Sequence, residues 1–225
     1  MNYFKAIFYK EWVKLRIPVG ILLLANLAFA LYLCIKLRYV GNFNEGEKIW
    51  SGWIFKAYLF YKPYTLLPLV SAMIIGFLQY NVEIQNKRIK LVFHLPVGEE
   101  KAILQHQIVG LILLCAITLP CYLLIAIYSS FYLPKEFIVS LFYTALPWFF
   151  AAINGYIFTE LFLLEGNKLY KVFIALLGFS FIRNLLYTEF YNTYLHLLWP
   201  IGIITVALFF TPLLASYRFR KGLSQ

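Results

Sequence analysis

Residues 81–107 read NVEIQNKRIKLVFHLPVGEEKAILQHQ, and this one stretch holds Glu83, Lys87, Arg88, Lys90, Glu99, Glu100 and Lys101. It is the longest polar interruption in an otherwise apolar chain. On its upstream side Pro63–Gln79 carries no charge, and on its downstream side Gln107–Ser129 carries none. An apolar helix of about 20 residues crosses the ~30 Å hydrocarbon core of a bilayer. The stretch is therefore a loop held in water between two membrane spans, and the rest of the chain follows from it.

Working outward, the composition allows little else. Hydrophobic residues make up 62% of the 225 positions and charged residues 13%, with a mean hydropathy of +0.75. Globular domains carry roughly 25% charged residues, so a soluble fold of this length would lack the polar surface to cover itself. The prediction is an all-α integral membrane protein, a single transmembrane domain over residues 1–225. Charge-free windows place six transmembrane helices at about 17–36, 62–81, 107–130, 137–160, 171–188 and 195–217, with a loop at 81–107. Pro120 falls inside the third span, where neighbouring helices can satisfy the freed backbone groups.

The formal net charge of +10 reads as membrane topology rather than nucleic-acid binding. Six spans put both termini on one side, together with Lys5, Lys10, Lys14, Arg16, Lys87, Arg88, Lys90, Lys101, Lys168, Lys171, Arg218, Arg220 and Lys221. The opposite side has Lys36, Arg38, Lys48, Lys56, Lys62 and Lys135, with Arg183 at depth. Lys and Arg are retained in the cytoplasm, and the bias of about two to one predicts both termini inside. The outer segment 36–62 is dense in aromatics, Trp50, Trp53, Tyr58 and Tyr61 among them, as suits the membrane–water interface.

Residues 1–16 form a predicted N-terminal amphipathic interfacial helix. Phe4, Ile7, Phe8, Trp12 and Leu15 make one apolar stripe, with Lys5, Lys10, Lys14 and Arg16 on the remaining faces. Such a helix lies along the headgroups with its lysines toward anionic lipid. Ala28-Phe29-Ala30 imitates a signal-peptide cleavage site, but the apolar run continues through Leu31–Ile35, so the first span is read as uncleaved.

There is no GxxxxGK(S/T), hence no phosphate-binding nest on this chain; neither HExxH nor a paired-carboxylate arrangement occurs. His106 and His196 start spans at opposite faces, so one haem cannot bridge them. Cys34, Cys115 and Cys121 sit in apolar runs without metal spacing. Arg183 is a charge within the predicted fifth span, and two readings stand: an intramembrane functional charge, or a side chain that snorkels outward to pair with Glu189. Asn26, Gln79 and Asn154 are expected to make interhelical hydrogen bonds.

Within the opening stretch, Val82, Ile89, Val92 and Phe93 extend the second span, and Leu95-Pro96-Val97-Gly98 breaks it. Glu99–Leu104 starts a short helix with acids in its first turn, where the dipole favours them. The leader ending Lys10-Glu11-Trp12-Val13-Lys14-Leu15-Arg16, the six spans, and the order Glu83…Leu95-Pro96-Val97-Gly98-Glu99-Glu100-Lys101-Ala102-Ile103-Leu104 together resemble the permease subunit of ABC-2 type exporters. The resemblance covers the whole chain. Two details depart from it: Asn86-Lys87-Arg88 replaces a glycine common after the glutamate, and Gln105-His106-Gln107 replaces a lysine that often opens span three.

The resemblance implies that residues 1–16, with Phe4, Phe8, Trp12 and Lys14, form the family's elbow helix. It implies a cytoplasmic coupling helix between spans two and three, in which Glu83, Leu95, Pro96, Val97, Glu99, Glu100, Ala102 and Ile103 contact a separate cytoplasmic ATPase subunit. ATP and Mg would be bound there, with no cofactor, metal or catalytic residue on this chain. A second permease copy or a related permease would complete the path, in a bacterial inner membrane. Few charges in the spans suit a lipid-like cargo; peptide and haem-related cargoes fit the same features. The alternative is a non-transporting membrane anchor that uses the loop as a static docking site. A polytopic lipid enzyme is disfavoured, because no carboxylate or histidine cluster faces one membrane surface.

Overall fold

The computed structural model describes residues 3–43, 59–85, 98–187 and 190–214. The regular elements among them are all helical: α1 (Tyr3–Phe43), α2 (Leu66–Gln85), α3 (Glu99–Ser129), α4 (Lys135–Leu164), α5 (Lys168–Leu186) and α6 (Leu198–Phe209). Short 3-10 turns at Lys62–Thr65 and Leu195–Leu197 lead into α2 and α6. Among the described residues, six stretches are long and apolar enough to cross a membrane, from Tyr3–Tyr39 to Leu195–Leu214. The expected spans all have a helix, clearly longer than anticipated at Tyr3–Tyr39, Lys62–Gln85, Glu100–Ser129 and Lys135–Leu164 and longer by one residue at Lys168–Leu186.

Two boundaries differ from the sequence expectation. Residues 3–16 are not a separate element; they are the opening turns of α1, which runs 41 residues through Pro18. At 1.5 Å per residue this helix is about 60 Å long, roughly twice the hydrocarbon core. Likewise Glu99–Leu104 is not set apart from the third span but begins α3, a single helix of 31 residues. The reason is continuity of the buried face. In α1, Ile7, Glu11, Leu15, Val19, Asn26, Ala30, Leu33 and Leu37 are all buried, at spacings of three, four or seven. In α3, Ala102, His106, Val109, Leu113 and Ile117 do the same. With no change of phase, packing gives neither helix cause to break.

α4 sits at the centre, packed most extensively on α2 and also against α3, α5 and α6; α1 packs on α3 and α2. Two apolar clusters stack along the bundle. One gathers Leu33, Leu37, Tyr61, Tyr64, Tyr122 and Trp148, with the Tyr61 and Trp148 rings 5.3 Å apart. The other, toward the N-terminal end, gathers Ile7, Leu15, Ile75, Val109, Leu114 and Tyr156. α5 and α6 turn large apolar side chains outward, Leu169 at 80% and Trp199 at 82% exposure, as helices bathed in lipid do. Asn192, at φ 59°, ties the α5–α6 connection to α4 by donating to Thr144 Oγ1 and Ser140 Oγ.

The polar residues in the spans bridge helices as expected. Asn26 Nδ2 donates to Ser71 Oγ at 2.8 Å, and Tyr64 Oη donates to Asn26 Oδ1 at 3.1 Å. Asn154 Nδ2 donates to Thr205 Oγ1 at 2.9 Å, joining α4 to α6. Asn26→Ala is expected to lower stability by about 1–2 kcal/mol, because it also strands the buried Tyr64 hydroxyl. Adding Tyr64→Phe to that variant should cost little more, since the hydroxyl has already lost its amide partner and keeps only the weak Cys121 thiol. Thermal unfolding of the detergent-solubilised chain reads both; an additive double variant would mean that the pair is not coupled.

Candidate functional site

The N terminus of α1, the C terminus of α2, the N terminus of α3 and the C terminus of α4 meet at one end of the bundle. There the apolar stripes carry an inserted set of charges. Glu11 occupies the position between Ile7 and Leu15 on the inward face of α1 and is fully buried. Lys10 and Lys14 flank it, one residue before and three after. Glu83 lies in the last turn of α2, where the helix dipole disfavours an anion. Its stability there depends on the cations that α1 brings across.

Lys14 is the hub. Its ammonium has three N–H donors, and three acceptors surround it: Glu11 Oε1 at 3.1 Å, the Gln79 carbonyl at 2.9 Å and Glu83 Oε1 at 3.3 Å. Lys10 Nζ reaches the same Glu83 oxygen at 2.9 Å from a more exposed position. His106 on α3 closes the group, with Nδ1 3.5 Å from Glu11 Oε1. Two lysines and two glutamates thus balance in the space between three helices.

Gln79 carries the junction into a fourth. Its backbone oxygen accepts from Lys14, its Nε2 donates to the His106 carbonyl at 2.8 Å, and its Oε1 accepts from Tyr156 Oη of α4 at 2.8 Å. Gly110 on α3 makes room for this pair: an added Cβ would collide with Tyr156 Oη and Gln79 Oε1. One turn beyond Tyr156 on α4, Glu160 is fully buried near the hydroxyls of Tyr80 and Tyr156. The Tyr80 hydroxyl is the one that faces the Glu160 carboxylate for a hydrogen bond.

The residues singled out on sequence fall in different places. Glu83 is 3% exposed and spends its carboxylate on α1. Glu99 opens α3, Glu100 is exposed beside it, Ala102 is fully buried and Ile103 is half-buried. Leu95, Pro96 and Val97 lie outside the described residues. Phe4 and Phe8 are half-buried against the N-terminal apolar cluster. Trp12 points outward at 43% exposure, and Lys14 points in. Arg183 stands exposed in the last turn of α5, at a helix end rather than deep within one; Glu189 lies outside the described residues.

Sequence reasoning missed Lys10, Glu11, His106 and Glu160 as members of a site. A signal was present for Glu11, the one acid among the first 44 residues, at four-residue spacing from Ile7 and Leu15. Among the described residues no group of three or more His, Cys, Asp and Glu side chains could hold a metal ion. The arrangement acts as a tie: it couples the first helix to the ends of α2 and α3 that flank residues 86–98. No family model matches the chain, and neither the curated proteins nor the solved structures compared with it gave a match.

Proposed function

We propose that this chain is the membrane-spanning permease subunit of an ABC-2 type exporter, driven by a separate cytoplasmic ATPase subunit that binds ATP and Mg. The observation that carries this reading is the charged junction that joins α1 to the C-terminal end of α2 and the N-terminal end of α3. A push on the exposed start of α3 would travel along one unbroken helix of 31 residues. Through Glu83, Gln79 and His106 the same push would reach α1, α2 and α4. The resemblance in the leader and in residues 83–104 supplies the identity of the partner that pushes. Residues 3–16 serve as the elbow segment even though they continue into the first span, and Glu99–Leu104 serves as the coupling segment. Both termini are cytoplasmic on this reading, and a second permease copy completes the path in a bacterial inner membrane.

The test is affinity purification of the full chain from native membranes in mild detergent. An ATPase of stoichiometric amount should come with it, and its hydrolysis should rise in the complex. Replacing Leu95-Pro96-Val97 with Gly-Ser-Gly and adding Glu100→Lys should lose that partner while elution and helicity stay unchanged. Absence of an ATPase from the wild-type complex, or its full retention by the variant, would overturn the assignment. A retained partner whose hydrolysis is indifferent to the chain would point instead to a static anchor.

A further inference from the structure

A groove of about 720 Å³ opens on the side of the bundle between α2, α4 and α5. Phe77 and Leu78 form one wall, Phe158 and Phe162 the floor, and Ala175 and Phe179 the other wall. The lining runs from Leu69 to Leu78 on α2 and from Ile182 to Ile174 on α5, a length of about 12–14 Å at 1.5 Å per residue. This nearly matches one leaflet's share, about 15 Å, of the hydrocarbon core. Thr159 is the one lining residue with a hydroxyl, and it donates to its own helix at the Gly155 carbonyl. Nothing polar inside the groove asks for a ligand group.

The charge lies at one end. The Lys171 ammonium stands 5.5 Å from the centre of the Phe162 ring, one turn beyond Ile174. Lys168 opens α5 beside it with an exposed side chain. Glu165 shares this turn, and its Oε1 accepts from the backbone N–H groups of Gly166 and Asn167. Two cations at the mouth of a leaflet-length apolar trough match one kind of molecule: an anionic head on a hydrocarbon tail.

We propose that this groove binds an acyl chain of an anionic phospholipid from the leaflet at the N-terminal end of the bundle, with the phosphate held by Lys168 and Lys171. The site requires only that the chain spans a membrane; it holds whether or not an ATPase is the partner. Lipid selectivity and ATPase capture are separate measurements, so either can fail alone.

Native mass spectrometry of the full chain, released from micelles with phosphatidylglycerol or phosphatidylcholine of identical chains, tests it. The wild type should retain phosphatidylglycerol about tenfold better, as expected for two lysines near an anionic headgroup. The Lys168→Gln/Lys171→Gln variant should bind both lipids equally. Ala175→Trp, which fills the groove from an exposed position, should retain neither. If Ala175→Trp does not fold, Phe77→Trp fluorescence reads the same occupancy, through stronger quenching by chain-brominated phosphatidylglycerol than the wild type shows. Equal retention of the two lipids by the wild type overturns the proposal, as does undiminished retention by a folded Ala175→Trp. So does competition by inorganic phosphate, or no added quenching in Phe77→Trp. A folded Ala175→Trp that changes oligomeric state with lipid retention intact would assign the groove to a second copy of the chain.

Discussion

Gly110→Ala should destabilise the detergent-solubilised chain by about 3–5 kcal/mol, from overpacking together with loss of a buried hydrogen bond. One methyl group has this effect because of what it meets. At position 110 a Cβ would overlap Tyr156 Oη and Gln79 Oε1, the two atoms that bond α4 to α2. Tyr156 and Gln79 are fully buried, so neither can swing to water for a replacement partner. Gln79 is further held by the His106 carbonyl and cannot yield without breaking that bond as well. Gly20→Ala is the control. Nothing lies within 4 Å of a Cβ there, and inside a helix alanine is favoured over glycine by roughly 0.5–1 kcal/mol. The same substitution should therefore sharply lower the melting temperature at 110 and hold or raise it at 20. Equal melting temperatures would mean that α2, α3 and α4 do not meet through Gln79.

The second large effect is expected among the N-terminal lysines, which the sequence alone ranks together. Lys14→Met should cost about 3 kcal/mol, near the low end for breaking a buried charge pair. The substitution keeps an unbranched apolar stem but leaves Glu11, at 0% exposure, and the Gln79 carbonyl without their main donor. Lys10→Met should cost no more than about 1 kcal/mol, because the side chain is 42% exposed and solvent screens it. Lys5→Met, at an exposed position, should be neutral. The order is read by thermal unfolding at two salt concentrations, where the Lys14 effect should persist and the Lys10 effect should shrink. If Lys14→Met were as mild as Lys5→Met, the junction would not be formed in solution.

The site was only partly legible because sequence spacing reports a face, not what that face meets. Of the stripe Phe4, Ile7, Phe8, Trp12 and Leu15, the bundle buries Ile7 and Leu15, half-buries Phe4 and Phe8 and leaves Trp12 outward. The buried face also takes in Glu11, which the stripe did not include. A glutamate there is offset by Lys10 and Lys14 on its own helix and by His106 on α3. Of those partners only the two lysines are near it in sequence; His106 is 95 positions away. Lys14 looked like a headgroup ligand for the same reason: its three acceptors come from residues 11, 79 and 83. Glu160 was passed over because it sits at the edge of an apolar window, where a carboxylate usually finds water.

What the sequence determined by itself is the membrane character and the number of membrane-crossing helices among the described residues. Both follow from composition and from windows of uncharged residues, which are local properties limited only by the thickness of a bilayer. The expected bridging roles of Asn26, Gln79 and Asn154 are of this kind too, since a polar group in hydrocarbon has few alternatives to a neighbouring helix. The tertiary structure alone decided that residues 3–16 and 99–106 extend their spans, that Glu83 turns inward, and that four helix ends are joined at Gln79. Those outcomes depend on which helix packs against which, and so on contacts between residues as far as 95 positions apart. Periodicity along a single helix carries no record of them.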